Sequence, residues 1–526
     1  MNATCEPIIV AAQPVHEPAA RRARRGPRVK GALTQLRWGP LRNPVAPVEV
    51  LSMDQVETIR LTSLRLLGET GMEMHDPWAR DVLKAAGCNV DHGTMRVRFD
   101  PAFVEAQIAK APSQFTLRAR NPAHNLTLGG NIINVGSVVG PPYCSDLDRG
   151  RRIGSTEDVR NFVRLLQSLN SIHYLYGTPF EAMDLAPEIR HLQGYLNGIE
   201  LTDKVWGSWM LGRFRAEDAI NMACMTFGTD RDGLRANPAL IGNINTNSPL
   251  VLDAAMTHGA RAFAECGQAV VVTPFTLAGA MAPATMAGAL VGQNAEALAA
   301  VALLQTVQPG MPCVYGSFTS NVDMRTGAPA FGTPEYAKAA FASGQLARLQ
   351  GLPWRSSNAC AANVEDAQSA YESQMSIWST VMSHCNLMIH GGGWLEGGLT
   401  ASFEKLILDA EMLQMMTSML QPIVVDDATL GLSTYAEVGP GGHFFGATDT
   451  ISRYEDAFYT PLVSDWSNFE NWRDRGSLTA AQRANGVWKK MLNDYEAPPI
   501  DPDLLLDLTA YVDRRKVEIG AGIGAE

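Results

Sequence analysis

Residues 239–247 read ALIGNINTN and residues 269–276 read AVVVTPFT, two short apolar runs ending on polar residues and separated by a longer helix-patterned stretch. The same unit recurs along the chain. Apolar runs stand at 131–138, 171–179, 204–211, 239–247, 269–276, 311–319, 352–358 and 386–393, and each closes on or within two residues of Gly, Pro, Asn, Ser or Thr. Eight strand-then-helix units in succession predict a (β/α)8 TIM barrel over 126–420, an α/β fold with N-terminal helical and C-terminal accessory regions. In such a barrel the chemistry sits at the C-terminal ends of the strands, so the residues closing these runs are the candidate site.

The intervening helices carry their own signals. The pattern at 156–170 opens on Ser155-Thr156-Glu157-Asp158, a cap followed by first-turn carboxylates, and then spaces Val159, Phe162, Val163 and Leu166 along one face. Pro334 opens another at 334–350 and Gly351 stops it. Residues 364–384 and 399–420 are similarly long and amphipathic.

Composition narrows the class. The chain has 526 residues, 46% hydrophobic and 18% charged, which suits a soluble enzyme with room beyond one barrel; its net charge of -11 argues against nucleic acid as a partner. The eight cysteines are scattered without a CxxC pair, which predicts reduced thiols, no metal site and a cytoplasmic location. Residues 1–45 cluster Arg21, Arg22, Arg24, Arg25, Arg28 and Lys30 among Pro, Ala and Gly and are expected to be a disordered basic tail. Residues 267–295 carry no charge, yet Pro274, Pro283 and several hydroxyl residues interrupt them, so a buried strand and loop is expected there and no membrane span. An accessory helical domain is expected at 46–125. A C-terminal accessory region is expected at 421–526, opening on a strand-like 422–425 and closing on helices near 478–495 and 502–517.

Period-two alternation places Asn243, Asn245 and Asn247 on one face of the fourth run. The face toward the helices must be apolar, so the amides should point into the barrel; the same alternation sends Tyr315, Ser317 and Thr319 inward from the sixth run and Asn386, Met388 and His390 inward from the eighth. A polar, water-filled layer would read the same way. Aromatics gather at this level: Tyr143, Tyr174, Tyr176, Trp206, Trp209, Phe275, Tyr315, Phe318, Trp354 and Trp394. Singly each is core material; together they suggest a cage for a quaternary ammonium, which neither donates nor accepts a hydrogen bond. His390 and Asn245 are the candidate catalytic residues, supplying donors to the anionic end of such a ligand. Tyr143, Trp209, Asn247, Tyr315, Trp354, Glu396 and His443 are the candidate substrate-binding residues. Glu396 would face the cation or serve the N-terminus of the following helix, and the glycine turn 441–446 (GGHFFG) presents His443. The chain carries no GxxxxGK[ST], GxSxG or HExxH motif.

Residues 135–143 (VGSVVGPPY), 154–166 (GSTEDVRNFVRLL), 389–408 (IHGGGWLEGGLTASFEKLIL) and 437–446 (EVGPGGHFFG) resemble the trimethylamine methyltransferase family, over about 50–515. The resemblance implies a TIM barrel that transfers a methyl group from a methylated amine to the Co(I) corrinoid (cobalamin) of a separate corrinoid-binding protein. No cofactor is then held tightly by the chain itself. Founding family members carry pyrrolysine, whereas this chain reads through in standard residues, with Ser, Asn, Ala and Cys around 356–363. It therefore resembles the non-pyrrolysine branch, which acts on quaternary amines such as glycine betaine. A folate as methyl acceptor, a non-catalytic betaine-binding protein and a homo-oligomeric state remain open at this point.

Overall fold

The computed structural model describes residues 33–523, so most of the expected basic tail lies outside the described residues. Within its last part, Leu41–Arg42 forms a strand paired antiparallel with Ile132 and Ile133. Residues from Gln35 onward form one compact unit.

Each of the eight apolar runs contains a strand: β1 (Ile132–Val135), β2 (Tyr174–Leu175), β3 (Val205–Ser208), β4 (Ile241–Asn247), β5 (Ala269–Ala278), β6 (Cys313–Gly316), β7 (Trp354–Ser357) and β8 (Leu387–Ile389). All pair in parallel, in the order β1-β8-β7-β6-β5-β4-β3-β2. A further parallel bridge, Gly136 to Tyr174, joins the end of β1 to β2. The fold is mixed α/β. Between the strands run α1 (Thr156–Ser168), α2 (Arg190–Leu201), α3 (Arg213–Phe227), α4 (Ala254–Glu265), α5 (Met286–Val307), α6 (Pro334–Leu349) and α7 (Ala367–Met382), with α8 (Phe403–Met419) after β8. The start signals act as expected: Ser155 and Asp158 form a capping box on α1, and Thr333 caps α6 ahead of Pro334.

Strands buried on both sides have an inner and an outer face. The inner face is defined by an apolar cluster containing Tyr174, Tyr176, Val205, Ile241, Ala269, Val271, Val314, Leu387 and Ile389. Leu117, Ala119, Leu126 and Leu128 join it from a hairpin whose strands, Phe115–Leu117 and Leu126–Leu128, pair antiparallel. The outer face meets the helices. There α5, long and apolar enough to cross a membrane, has 78% of its apolar window buried against the protein.

The flanking regions differ in part from expectation. Residues 46–125 hold the helices Met53–Glu69, Pro77–Ala85 and Pro101–Ile108, but also the strands Met72–Met74, Asn89–Asp91 and Arg96–Arg98. The expected strand at 422–425 is absent: Ile423, Val424 and Val425 are exposed with no neighbouring strand to supply ladder hydrogen bonds. The two closing helices are present, at Ala480–Asn493 and Pro502–Gly520.

Candidate active site

Register settles which side chains share the interior. Asn243 lies opposite Val271 and Asn245 opposite Thr273, both on the inner face, so the amides of β4 point inward as their alternation implied. Thr273 Oγ1 donates to Asn243 Oδ1 at 2.6 Å, and Asn243 Nδ2 donates to Asn245 Oδ1. Among the described residues no further side-chain bond ties the Asn245 amide, which stands toward the C-terminal end of β4.

The sixth and seventh runs correct the expectation by one residue. Val314 is the inner residue of β6, so Tyr315 faces out: Gln293 on α5 donates to its hydroxyl at 3.0 Å, and that hydroxyl donates to Asn294 Oδ1 at 3.1 Å. Thr319 donates to Gln293 from the same side. Trp354 lies in register with Tyr315 and donates from Nε1 to Ser317 Oγ at 3.1 Å, again on the outer face. Neither ring lines the interior. Their places are taken by Phe318, which lies opposite Phe275 in the ladder and stacks on it at 5.4 Å, and by Arg355, which pairs with Gly316 and with the inner residue Leu387. The physical reason is that a strand covered on both sides accepts aromatics on either face, so Tyr315 and Trp354 carry no parity signal.

In β8 the inner residues are Leu387 and Ile389, which turns Asn386 and Met388 outward against expectation. His390 nonetheless joins the inner group, because it follows the strand with a φ of 58° and so leaves the alternation. Its Nδ1 is 3.2 Å from Ser357 Oγ, and its ring lies 4.1 Å from Trp394 and 6.0 Å from Phe318. Burial, and then the Arg355 charge, hold its pKa well below the usual histidine value, so the imidazole is neutral at physiological pH.

Arg355 is the inward-facing candidate that sequence alternation missed. It is 4% exposed; Nη1 donates to the Ser317 carbonyl at 2.9 Å, Nε has no partner, and its guanidinium stands 5.3 Å from the Phe318 ring centre. Among the described residues no carboxylate acts on it; its charge is felt instead by Tyr174, Tyr176 and Tyr336. Tyr176, also inner, has a buried hydroxyl without a hydrogen-bond partner. The available signal was a lone arginine in the otherwise uncharged run 352–358, where a charge is costly unless something answers it.

A second sheet stands at the C-terminal ends of β8 and β1, built from Trp394–Leu395, Thr400–Ser402, Tyr143–Asp146 and Gly150–Ile153. It carries Tyr143 and Glu396 to the same end of the strands as His390. Both are already engaged: the Arg151 guanidinium lies 3.7 Å over the Tyr143 ring, and Arg151 Nε donates to both Glu396 oxygens at 2.8 and 2.9 Å. Trp209, after β3, is half-buried beside Gly177. Asn247 is exposed and donates to Asp253 at 3.1 Å. His443 is exposed, with Phe445 as its ring neighbour at 6.2 Å, and is not among the inner residues. Among the described residues no group of three metal-ligating side chains occurs. A cleft of about 420 Å3 lies elsewhere, between α3 and the helix Pro502–Gly520, where Asp218 ties His191, Tyr511 and Arg515 together. Those groups are gathered on the Asp218 carboxylate among α2, α3 and the last helix.

The chain matches the family described as Trimethylamine methyltransferase (MTTB) over residues 18–520. It is 35% identical to a glycine betaine methyltransferase of Desulfitobacterium hafniense (strain Y51), with 90% of this chain and 98% of that protein covered. It is 28% identical to a trimethylamine methyltransferase of Methanosarcina mazei, covering 89% and 95% respectively. The monomethylamine methyltransferase structure from Methanosarcina barkeri aligns at a TM-score of 0.45 and 11% identity, over 86% of this chain and 90% of that one. The chain belongs to the trimethylamine methyltransferase family.

Proposed function

We propose that the chain transfers a methyl group from a quaternary amine of the glycine betaine class to the Co(I) corrinoid of a separate carrier protein, and that it does so inside a (β/α)8 barrel. The seven parallel pairings and the Gly136–Tyr174 bridge support the barrel. The observation that carries the function is the wall at its C-terminal end: Phe318, Trp394 and the neutral ring of His390 lie within 4.1 to 6.1 Å of one another. Aromatic faces attract a quaternary ammonium without demanding hydrogen bonds.

The corrinoid supplies the nucleophile. The protein's own task is to hold the amine with one methyl presented outward, to exclude water and to fix orientation. No general acid is needed, because a tertiary amine leaves uncharged. A neutral His390 suits that work: it adds no positive charge against the ammonium, and its Nε2 can take one hydrogen bond from or give one to a polar ligand atom. Tyr143, Glu396 and Trp209 belong to the rim in this reading; Asn247 and His443 have no part in it. The region 46–125 and the region after 420 are accessory to the barrel, the carrier protein is the expected partner, and the acidic net charge disfavours nucleic acid.

The test is incubation of the purified protein with cob(I)alamin and, separately, glycine betaine, choline or trimethylamine. Methylcobalamin absorbance should appear with betaine. Transfer to tetrahydrofolate without any corrinoid would refute the assigned acceptor, and binding without transfer to either would make the chain a betaine-binding protein.

A further inference from the structure

Arg355 and Tyr176 present buried donors that nothing among the described residues answers. Arg355 stands 4% exposed on the inner face of β7; one of its N–H groups reaches the Ser317 carbonyl, and Nε is unpartnered. Tyr176, 7% exposed just past β2 and on the same inner face, carries a hydroxyl in the same condition. A buried guanidinium with no anion is a large cost to the fold, and the usual remedies, a carboxylate partner or a full set of carbonyls, are both missing. The same guanidinium lies 5.3 Å from Phe318, a ring of the aromatic wall.

Two consequences follow from that juxtaposition. A simple cation on the wall, such as trimethylammonium or choline, would meet an unscreened positive charge in a low-dielectric interior and be repelled. A zwitterion with a carboxylate one carbon from its ammonium would cover both groups at once, its oxygens taking the guanidinium and the phenol as charge-assisted donors. We infer that Arg355, with Tyr176, is the carboxylate anchor of the site and selects carboxylated quaternary amines over uncarboxylated ones. This deepens the proposed function and rests on it for the identity of the cationic half. The carboxylate half stands on Arg355 and Tyr176 alone.

The two halves can be probed separately by calorimetry on the full chain. The compound 3,3-dimethylbutanoate keeps the shape and carboxylate of glycine betaine without its charge on nitrogen, and tetramethylammonium keeps only the cation. Arg355→Met should weaken both glycine betaine and 3,3-dimethylbutanoate on the order of ten- to a hundredfold, while tetramethylammonium binds unchanged or tighter. Tyr176→Phe, which deletes only an unpartnered hydroxyl, should cost the two carboxylates on the order of two- to tenfold and leave tetramethylammonium alone. The melting temperature of Arg355→Met should be unchanged or higher, which a merely structural arginine would not allow. The inference is overturned if 3,3-dimethylbutanoate fails to bind the wild type, if it binds Arg355→Met equally well, or if all three ligands weaken together. Methyl transfer to cob(I)alamin, measured alongside, separates the two claims: a carboxylate effect without transfer removes the function and keeps the anchor, and transfer without a carboxylate effect does the reverse.

Discussion

Two buried cations, Lys204 before β3 and Arg355 in β7, belong to the same strand ladder and are treated in opposite ways. Lys204, just before β3, is 3% exposed, and its Nζ donates to the carbonyls of Leu166, Leu169 and Ile172 at 2.7, 2.9 and 2.7 Å. Three donors meet three acceptors at the end of α1 and the turn after it. Arg355 has five N–H groups and the single bond to Ser317. A cation whose donors are all consumed by backbone is a structural staple; one left with open donors at the catalytic end of the strands is waiting for a ligand. Burial lowers the pKa of both, Lys204 to about 7. Charge alone therefore does not tell them apart, and hydrogen-bond completeness does.

The largest expected effect tests that contrast. Lys204→Met should destabilise the protein by about 3–5 kcal/mol, because three buried carbonyls lose their donor, whereas Arg355→Met should not destabilise it; urea unfolding of both variants measures the difference. Equal losses would break the comparison. Next in size is a pH effect at the neighbouring histidine. His390 has its folded pKa depressed below 6.5, so the unfolded chain binds the proton more readily; stability contributed by its neutral form is present above that value and is lost as pH falls below it. His390→Gln should therefore flatten the acid side of the stability profile by up to about 1.4 kcal/mol per pH unit below 6.5, leaving the slopes due to His173, whose burial holds it at about 3, and to His191 and His384, which burial also lowers. An unchanged slope would mean that His390 is protonated in the folded protein.

How far these residues were legible beforehand depended on chemistry. All eight strands and most helices could be placed, because apolar runs, caps and glycine stops are local signals. Asn243 and Asn245 could be oriented, since amides on an outer face would lie unpaired against apolar helices. Tyr315 and Trp354 could not. Their rings find partners in Gln293, Asn294 and Ser317, and nothing in the sequence says that α5 offers them. His390 was assigned inward by an alternation that β8 does not follow, and reaches the interior through its left-handed backbone instead. Tyr143 and Glu396 lie at the end where they were placed, but Arg151 reaches Tyr143 through a local hairpin and Glu396 only through the parallel pairing of Thr400–Ser402 with Tyr143–Asp146, segments distant in sequence.

Those placements set the two smaller predictions. Phe318→Leu keeps apolar volume and removes a ring facing the interior, so glycine betaine should bind roughly 2- to 30-fold more weakly in a calorimetric titration. Tyr143→Ala should change the same affinity by less than about twofold, because Arg151 already covers the ring. A larger loss at Tyr143 than at Phe318 would move the cage from the interior to the rim.

The account's central claim is a direction of binding: ammonium on the aromatic wall, carboxylate on Arg355. A crystal structure of the protein with glycine betaine reads it directly. The account predicts carboxylate oxygens within hydrogen-bonding distance of Arg355 and Tyr176, the trimethylammonium group against Phe318 and Trp394, and one methyl facing the open C-terminal end of the strands. Betaine bound with its ammonium toward Arg355, or seated in the cleft between α3 and the last helix, would contradict it.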